Sequence, residues 1–167
     1  MTTANTILLV TALASALISG LFYSYSCSVN PGLAQLPNAG YLAAMQAINK
    51  AILNPLFFAS FIGTLLLLPL STYMHYSQPV TLKCWLLIAS TLIYLVGVFG
   101  VTVFGNVPLN EMLAKIDLQA STPDQLAAIR SEFEGSWNWF HTFRTISTVI
   151  SLILLLAACL NAGDRSV

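Results

Sequence analysis

Residues 137–144 read Trp137-Asn138-Trp139-Phe140-His141-Thr142-Phe143-Arg144 and open an apolar run that continues to Leu160. A run of this length and character is long enough to cross a bilayer, for which about 20 mostly apolar residues suffice. Its first turns nevertheless carry an imidazole and a guanidinium. Trp137, His141 and Arg144 fall at i, i+4 and i+7, so on a helix they share one face. Ionisable groups at membrane depth are costly and turn towards a cavity or a partner, which makes this face the candidate functional site.

The rest of the chain agrees with a membrane setting. Of 167 residues, 57% are hydrophobic and 7% charged, against roughly 25% charged in an average soluble domain. Such a chain cannot coat a water-exposed surface with polar side chains. Six basic residues balance six acidic ones, so nothing in the charge pattern points to nucleic acid. The cysteines Cys27, Cys84 and Cys159 stand singly in or beside apolar stretches, with no CxxC and no metal-ligand spacing.

Four stretches qualify as spans: about 6–29, 51–74, 82–104 and 137–160. The first lacks a basic leader, and no small-x-small cleavage site in it is followed by polar sequence, so it reads as a span rather than a signal peptide. The expected fold is therefore all-α, a single four-helix transmembrane bundle. The connection after span two, 75–81, is a short turn. The connection after span one begins with the turn signal Asn30-Pro31-Gly32. Leu42, Met45 and Ile48 then recur every third residue, as in a short helix lying at the interface. The connection 105–136 holds two expected short helices, one from about Pro108 and one after Ser121-Thr122-Pro123-Asp124. With four spans, the first and third connections lie on the same side. Lys83 and Arg165 flank the short-turn side; Lys50, Lys115, Arg130 and Arg144 lie on the other. With Lys50 and Arg144 set aside as site candidates, the basic count ties and fixes no orientation.

Asn30, Asn49, Asn106, Asn110 and Asn138 thus gather with Trp137, His141 and Arg144 at one end, where they can line a polar pocket. Each asparagine both donates and accepts. Asn30 and Asn106, placed before prolines, also suit turns or helix caps. His141, expected in the first turns of span four, can act as base, ligand or donor. Arg144 can bind an oxyanion, snorkel to headgroups, or pair with Glu132 or Glu134. Trp137 can stack on a planar ligand, while Trp139 and Phe140 suit an interfacial aromatic belt. Lys50 can snorkel. No phosphate-cradling glycine loop is present, and His75 and His141 lie at opposite ends, unsuited to joint haem ligation.

Gly20-Leu21-Phe22, Asn30-Pro31-Gly32, Asn49-Lys50, Phe104-Gly105-Asn106-Val107-Pro108-Leu109-Asn110 and Trp137-x-x-x-His141-x-x-Arg144 together resemble the anthrone oxygenase family, also called the domain of unknown function 1772. The resemblance covers nearly the whole chain, with all four spans in order. It implies a multi-pass protein of the cell (inner) membrane that oxidises planar phenolic, anthrone-like substrates to quinones. Molecular oxygen is the co-substrate, and no cofactor is implied. In that reading His141 is the base, Arg144 stabilises the enolate oxygen, and Trp137, Asn138, Asn106, Asn110, Asn49 and Asn30 surround the substrate. The partners are then the lipid bilayer and a small planar hydrophobic substrate; a homo-oligomer is compatible with it. Two other readings use the same residues: a redox protein with haem, metal or quinone bound at His141, and a non-catalytic accessory protein of the membrane.

Overall fold

The computed structural model describes residues 2–161, so Arg165 lies outside the described residues. Five helices carry the described chain: α1 (Thr3–Ala34), α2 (Asn38–Ala51), α3 (Pro55–Met74), α4 (Leu82–Ala114) and α5 (Pro123–Leu160). α1, α3, α4 and α5 are each long and apolar enough to cross a membrane. α1 and α4 each pack against both α3 and α5 and stand diagonally across the bundle. Helix starts follow local chemistry. The Thr2, Asn54 and Thr81 side chains accept from backbone N–H groups in the first turns of α1, α3 and α4. Thr122 and Gln125 form a reciprocal capping box at the head of α5.

Three helices exceed the spans expected from sequence. Asn30-Pro31-Gly32 is no turn: α1 runs through it to Ala34. Likewise α4 does not stop at Phe104 but continues to Ala114. A π-helical turn precedes each proline, at Tyr25–Val29 and Thr102–Asn106, where Asn30 and Val107 donate to carbonyls five residues back. Pro31 and Pro108 then occupy the first turn of a re-registered helix, where a missing N–H is tolerated. The short helix expected after Pro123 is continuous with span four. At about 57 Å for 38 residues, α5 outreaches a hydrocarbon core of about 30 Å. His141 is therefore in mid-helix, far from any helix terminus.

The overhanging parts of α1, α4 and α5 clasp α2, whose Leu42 and Met45 are fully buried with Leu113, Phe133 and Trp137. Gln46 Nε2 donates to the carbonyls of Leu113 and Ile116, at 2.8 and 3.0 Å, tying α2 to the end of α4. Arg130 fastens the other edge. Its guanidinium donates to Leu36 O at 2.7 Å, Ala34 O at 3.1 Å and Glu134 Oε2 at 2.7 Å. It also stands 4.4 Å above the Tyr41 ring. Burial and the neighbouring Glu134 carboxylate push the Tyr41 phenol up, keeping it neutral there.

Between the spans, hydroxyls rather than ion pairs join the helices. Ser90 and Ser151 exchange bonds between α4 and α5 at 2.8–3.0 Å, Thr11 meets Ser71 at 2.8 Å, and Tyr94 donates to Phe61 O at 2.9 Å. Lipid tails offer helices no hydrophobic reason to associate, so packing and such bonds hold them. Gly97 permits a close α4–α5 approach: a methyl there would sit 2.5 Å from Ser147 Oγ and 2.8 Å from its Cβ. Gly97→Ala should cost about 1–3 kcal/mol, read as a lower Tm in detergent. Adding Ser147→Gly should recover most of that loss.

Candidate functional site

At the clasped end of the bundle, α5 presents Trp137, His141 and Arg144 on one inward face. Trp137 and His141 stack, with ring centroids 5.1 Å apart and planes 12° from parallel. Arg144 lies one turn further, 9% exposed, with its guanidinium carbon 4.3 Å above the Phe22 ring and 5.4 Å from the Trp137 ring. Both rings offer their negative faces to the cation. Arg144 forms no salt bridge. Among the described residues the one ion pair is Arg130–Glu134, so neither Glu132 nor Glu134 neutralises Arg144.

The guanidinium donates to His141 Nδ1, from Nη2 at 3.1 Å and from Nε at 3.4 Å. The other ring nitrogen, Nε2, is 2.9 Å from Ser26 Oγ. His141 is 1% exposed, packed edge-on by Phe22 and tilted against Tyr25. Its ring does not line the adjacent cavity; Arg144 does.

That cavity holds about 560 Å³, within the range of about 300–1,000 Å³ usual for small-molecule sites. α1 supplies Leu21, Phe22 and Tyr25 to its wall, α2 supplies Gln46, Asn49 and Lys50, and α4 supplies Thr102, Asn106, Asn110 and Glu111. Trp137 and Arg144 form the α5 side. Trp137 Nε1 donates to Asn110 Oδ1 at 2.8 Å. Asn106 Nδ2 donates to Trp137 O at 3.2 Å, and its Oδ1 is buried without a partner, as is Asn49 Nδ2. Buried amide atoms are seldom left unpaired, so a cavity edged by two such residues suits a ligand with polar substituents. α3 packs against α4 only as far as Gly100; beyond it the two helices part. Leu53 and Phe57 line one side of this gap and Val107 the other. Leu53, Leu56, Val103 and Phe104 are exposed beside it, while Lys50 and Glu111 are exposed on the wall above. The mouth thus joins an apolar surface to a charged rim.

Of the residues expected at the site, Arg144, Trp137, Asn106, Asn110 and Asn49 meet at this cavity. His141 stands behind Arg144. Asn30 and Asn138 meet each other instead, Asn30 Nδ2 donating to Asn138 Oδ1 at 2.9 Å, and neither lines the cavity. Asn30 and Asn106 are helix-interior residues, neither turn formers nor side-chain caps. Sequence reasoning missed Phe22, Tyr25 and Thr102. The spacing of Phe22, Tyr25 and Ser26 along α1 was legible as one face, but the π-helical turns that begin at Tyr25 and Thr102 were not. No group of three His, Cys, Asp or Glu residues among those described is placed to hold a metal ion.

A family model described as anthrone oxygenase matches residues 44–154. The chain belongs to the anthrone oxygenase family. The match takes in every α2, α4 and α5 residue named on the cavity wall. It leaves out all of α1, including Phe22, Tyr25, Ser26 and Asn30, and so is narrower than the resemblance seen in the sequence. No curated protein and no solved structure matches the chain. For a family member with this cavity, bound anthraquinone should protect the wall selectively. With Cys27, Cys84 and Cys159 replaced by alanine, it should slow maleimide labelling of Glu111→Cys. Labelling of Asn138→Cys should be unchanged.

Proposed function

We propose that this protein is a membrane oxygenase that oxidises a planar, anthrone-like substrate to a quinone, with molecular oxygen as co-substrate and the cell (inner) membrane as its location. One observation carries the reading: a buried guanidinium with no carboxylate partner, on the wall of a largely apolar cavity. A fixed cation in a water-poor site stabilises negative charge that develops on a ligand oxygen. An anthrone develops such charge. Loss of a proton from its methylene moves the electrons onto the opposite carbonyl oxygen, where Arg144 holds the enolate.

The electron-rich enolate then passes one electron to oxygen, giving a carbon radical and superoxide. Their combination forms a carbon–oxygen bond, and the protonated peroxide loses water to leave the second carbonyl. Anthrone plus oxygen becomes anthraquinone plus water, with atoms and electrons balanced. Leu21, Phe22, Phe57 and Trp137 give the rings an apolar wall to pack against. Glu111, the one carboxylate on the cavity wall, stands at the rim to accept the methylene proton. The gap between α3 and α4, flanked by exposed apolar side chains, supports delivery of a lipophilic substrate from the bilayer.

Purified protein in detergent should consume one oxygen per quinone formed from anthrone without added cofactor. Arg144→Gln should lower kcat by roughly 10²–10³-fold, as loss of an oxyanion donor does. Normal turnover in a folded Arg144→Gln variant would refute the assignment.

A further inference from the structure

We infer that His141 is a positioning residue: it holds the Arg144 guanidinium against the cavity and does not itself take the substrate's proton. The inference rests on the reading that Arg144 holds a ligand oxyanion.

The direction of the hydrogen bonds carries it. Arg144 has only N–H groups, so at 3.1 and 3.4 Å it can only donate, and His141 Nδ1 must present its lone pair. At the other end, Ser26 Oγ donates to the Phe22 carbonyl at 3.1 Å, and a carbonyl can only accept. The Ser26 proton is thereby committed, so its oxygen accepts from His141 Nε2–H at 2.9 Å. An obligate donor and an obligate acceptor thus fix one tautomer between them. The chain runs from Arg144 through His141 and Ser26 to Phe22 O. Phe22 closes the circle, because its ring lies under the guanidinium at 4.3 Å.

The only basic lone pair on His141 is therefore already spent on Arg144. Everything else around the ring favours holding it still. Trp137 stacks on it, Tyr25 and Phe22 pack against it, and Thr145 Oγ1 lies 3.5 Å from Nε2 while donating to the His141 carbonyl. No carboxylate is bonded to it, and the ring has no place on the cavity wall. For Nδ1 to accept a substrate proton, the grip on Arg144 would have to be released.

Full-length protein in detergent with His141→Ala and His141→Asn separates the two roles. The asparagine Oδ1 can replace Nδ1 as an acceptor for Arg144 but cannot act as a base. Two readouts are needed: the Kd of 2-hydroxyanthraquinone by visible absorbance, and the pH profile of kcat for anthrone oxidation. His141→Ala should weaken dye binding by roughly tenfold or more, as loss of a hydrogen bond to a charged group does. His141→Asn should recover most of both binding and turnover, with the wild-type pH profile. If His141→Asn binds the dye like wild type yet turns over as poorly as His141→Ala, His141 is the proton acceptor and the inference is overturned. If wild type makes no quinone but dye binding follows the same order, the oxygenase reading falls and the positioning role stands. Should His141→Ala fail to fold, Ser26→Ala keeps the ring and its bond to Arg144 but removes the acceptor that anchors Nε2–H. It should weaken dye binding by an intermediate amount; unchanged binding in Ser26→Ala would contradict the chain.

Discussion

An arginine charge held at bundle depth without a counter-ion is the constraint around which this structure is arranged. Burial of an ion costs several kcal/mol unless partners repay it. Arg144 is repaid only in part, by the faces of Phe22 and Trp137 and by one imidazole nitrogen. The remaining donors belong to the cavity. A fold optimised for stability alone would have placed a carboxylate or an apolar side chain here, so the deficit marks a site that a ligand completes.

The surrounding bundle supplies what such a site needs. Hydroxyl pairs such as Ser90–Ser151 and Thr11–Ser71 join the spans without introducing further charge. Above them, α2 is clasped by the overhanging ends of α1, α4 and α5, and it contributes Gln46, Asn49 and Lys50 to the cavity wall. The π-helical turns link the two levels. They let α1 and α4 run on past Pro31 and Pro108, and Tyr25, Thr102 and Asn106, which line the cavity, lie within them. If α4 ended at Pro108, the cavity would lose Asn110 and Glu111 from its wall.

Composition and the lengths of four apolar stretches made the fold class legible from sequence, since a bilayer leaves few alternatives. The Trp137, His141 and Arg144 face was equally legible, because 3.6-residue periodicity fixes which side chains align. What could not be read was register. Asn30-Pro31-Gly32 carries every local mark of a turn, yet a π-helical turn upstream absorbs the proline and keeps the helix going. The same ambiguity hid the continuity of α4 past Phe104 and of α5 upstream of Trp137. Gathering asparagines at one end was sound to the level of the end, not of the wall: Asn49, Asn106 and Asn110 reach the cavity, whereas Asn30 and Asn138 satisfy each other. Tertiary pairing decides between those fates, and it leaves no trace in local spacing. That Glu134 chooses Arg130 over Arg144 is likewise a matter of helical reach, i to i+4, which the spacing did contain.

The most direct test of the central claim is the Tm of Arg144→Met in detergent, with and without 2-hydroxyanthraquinone. Methionine fills similar apolar space and packs well on Phe22 and Trp137, while removing the unneutralised charge. If the cation is held for a ligand, the variant will melt within about 1 kcal/mol of wild type or above it, and only wild type will gain stability from the dye. A variant that loses about 3 kcal/mol or more, or one that the dye stabilises as well as it does wild type, would show that Arg144 serves the fold and not the site.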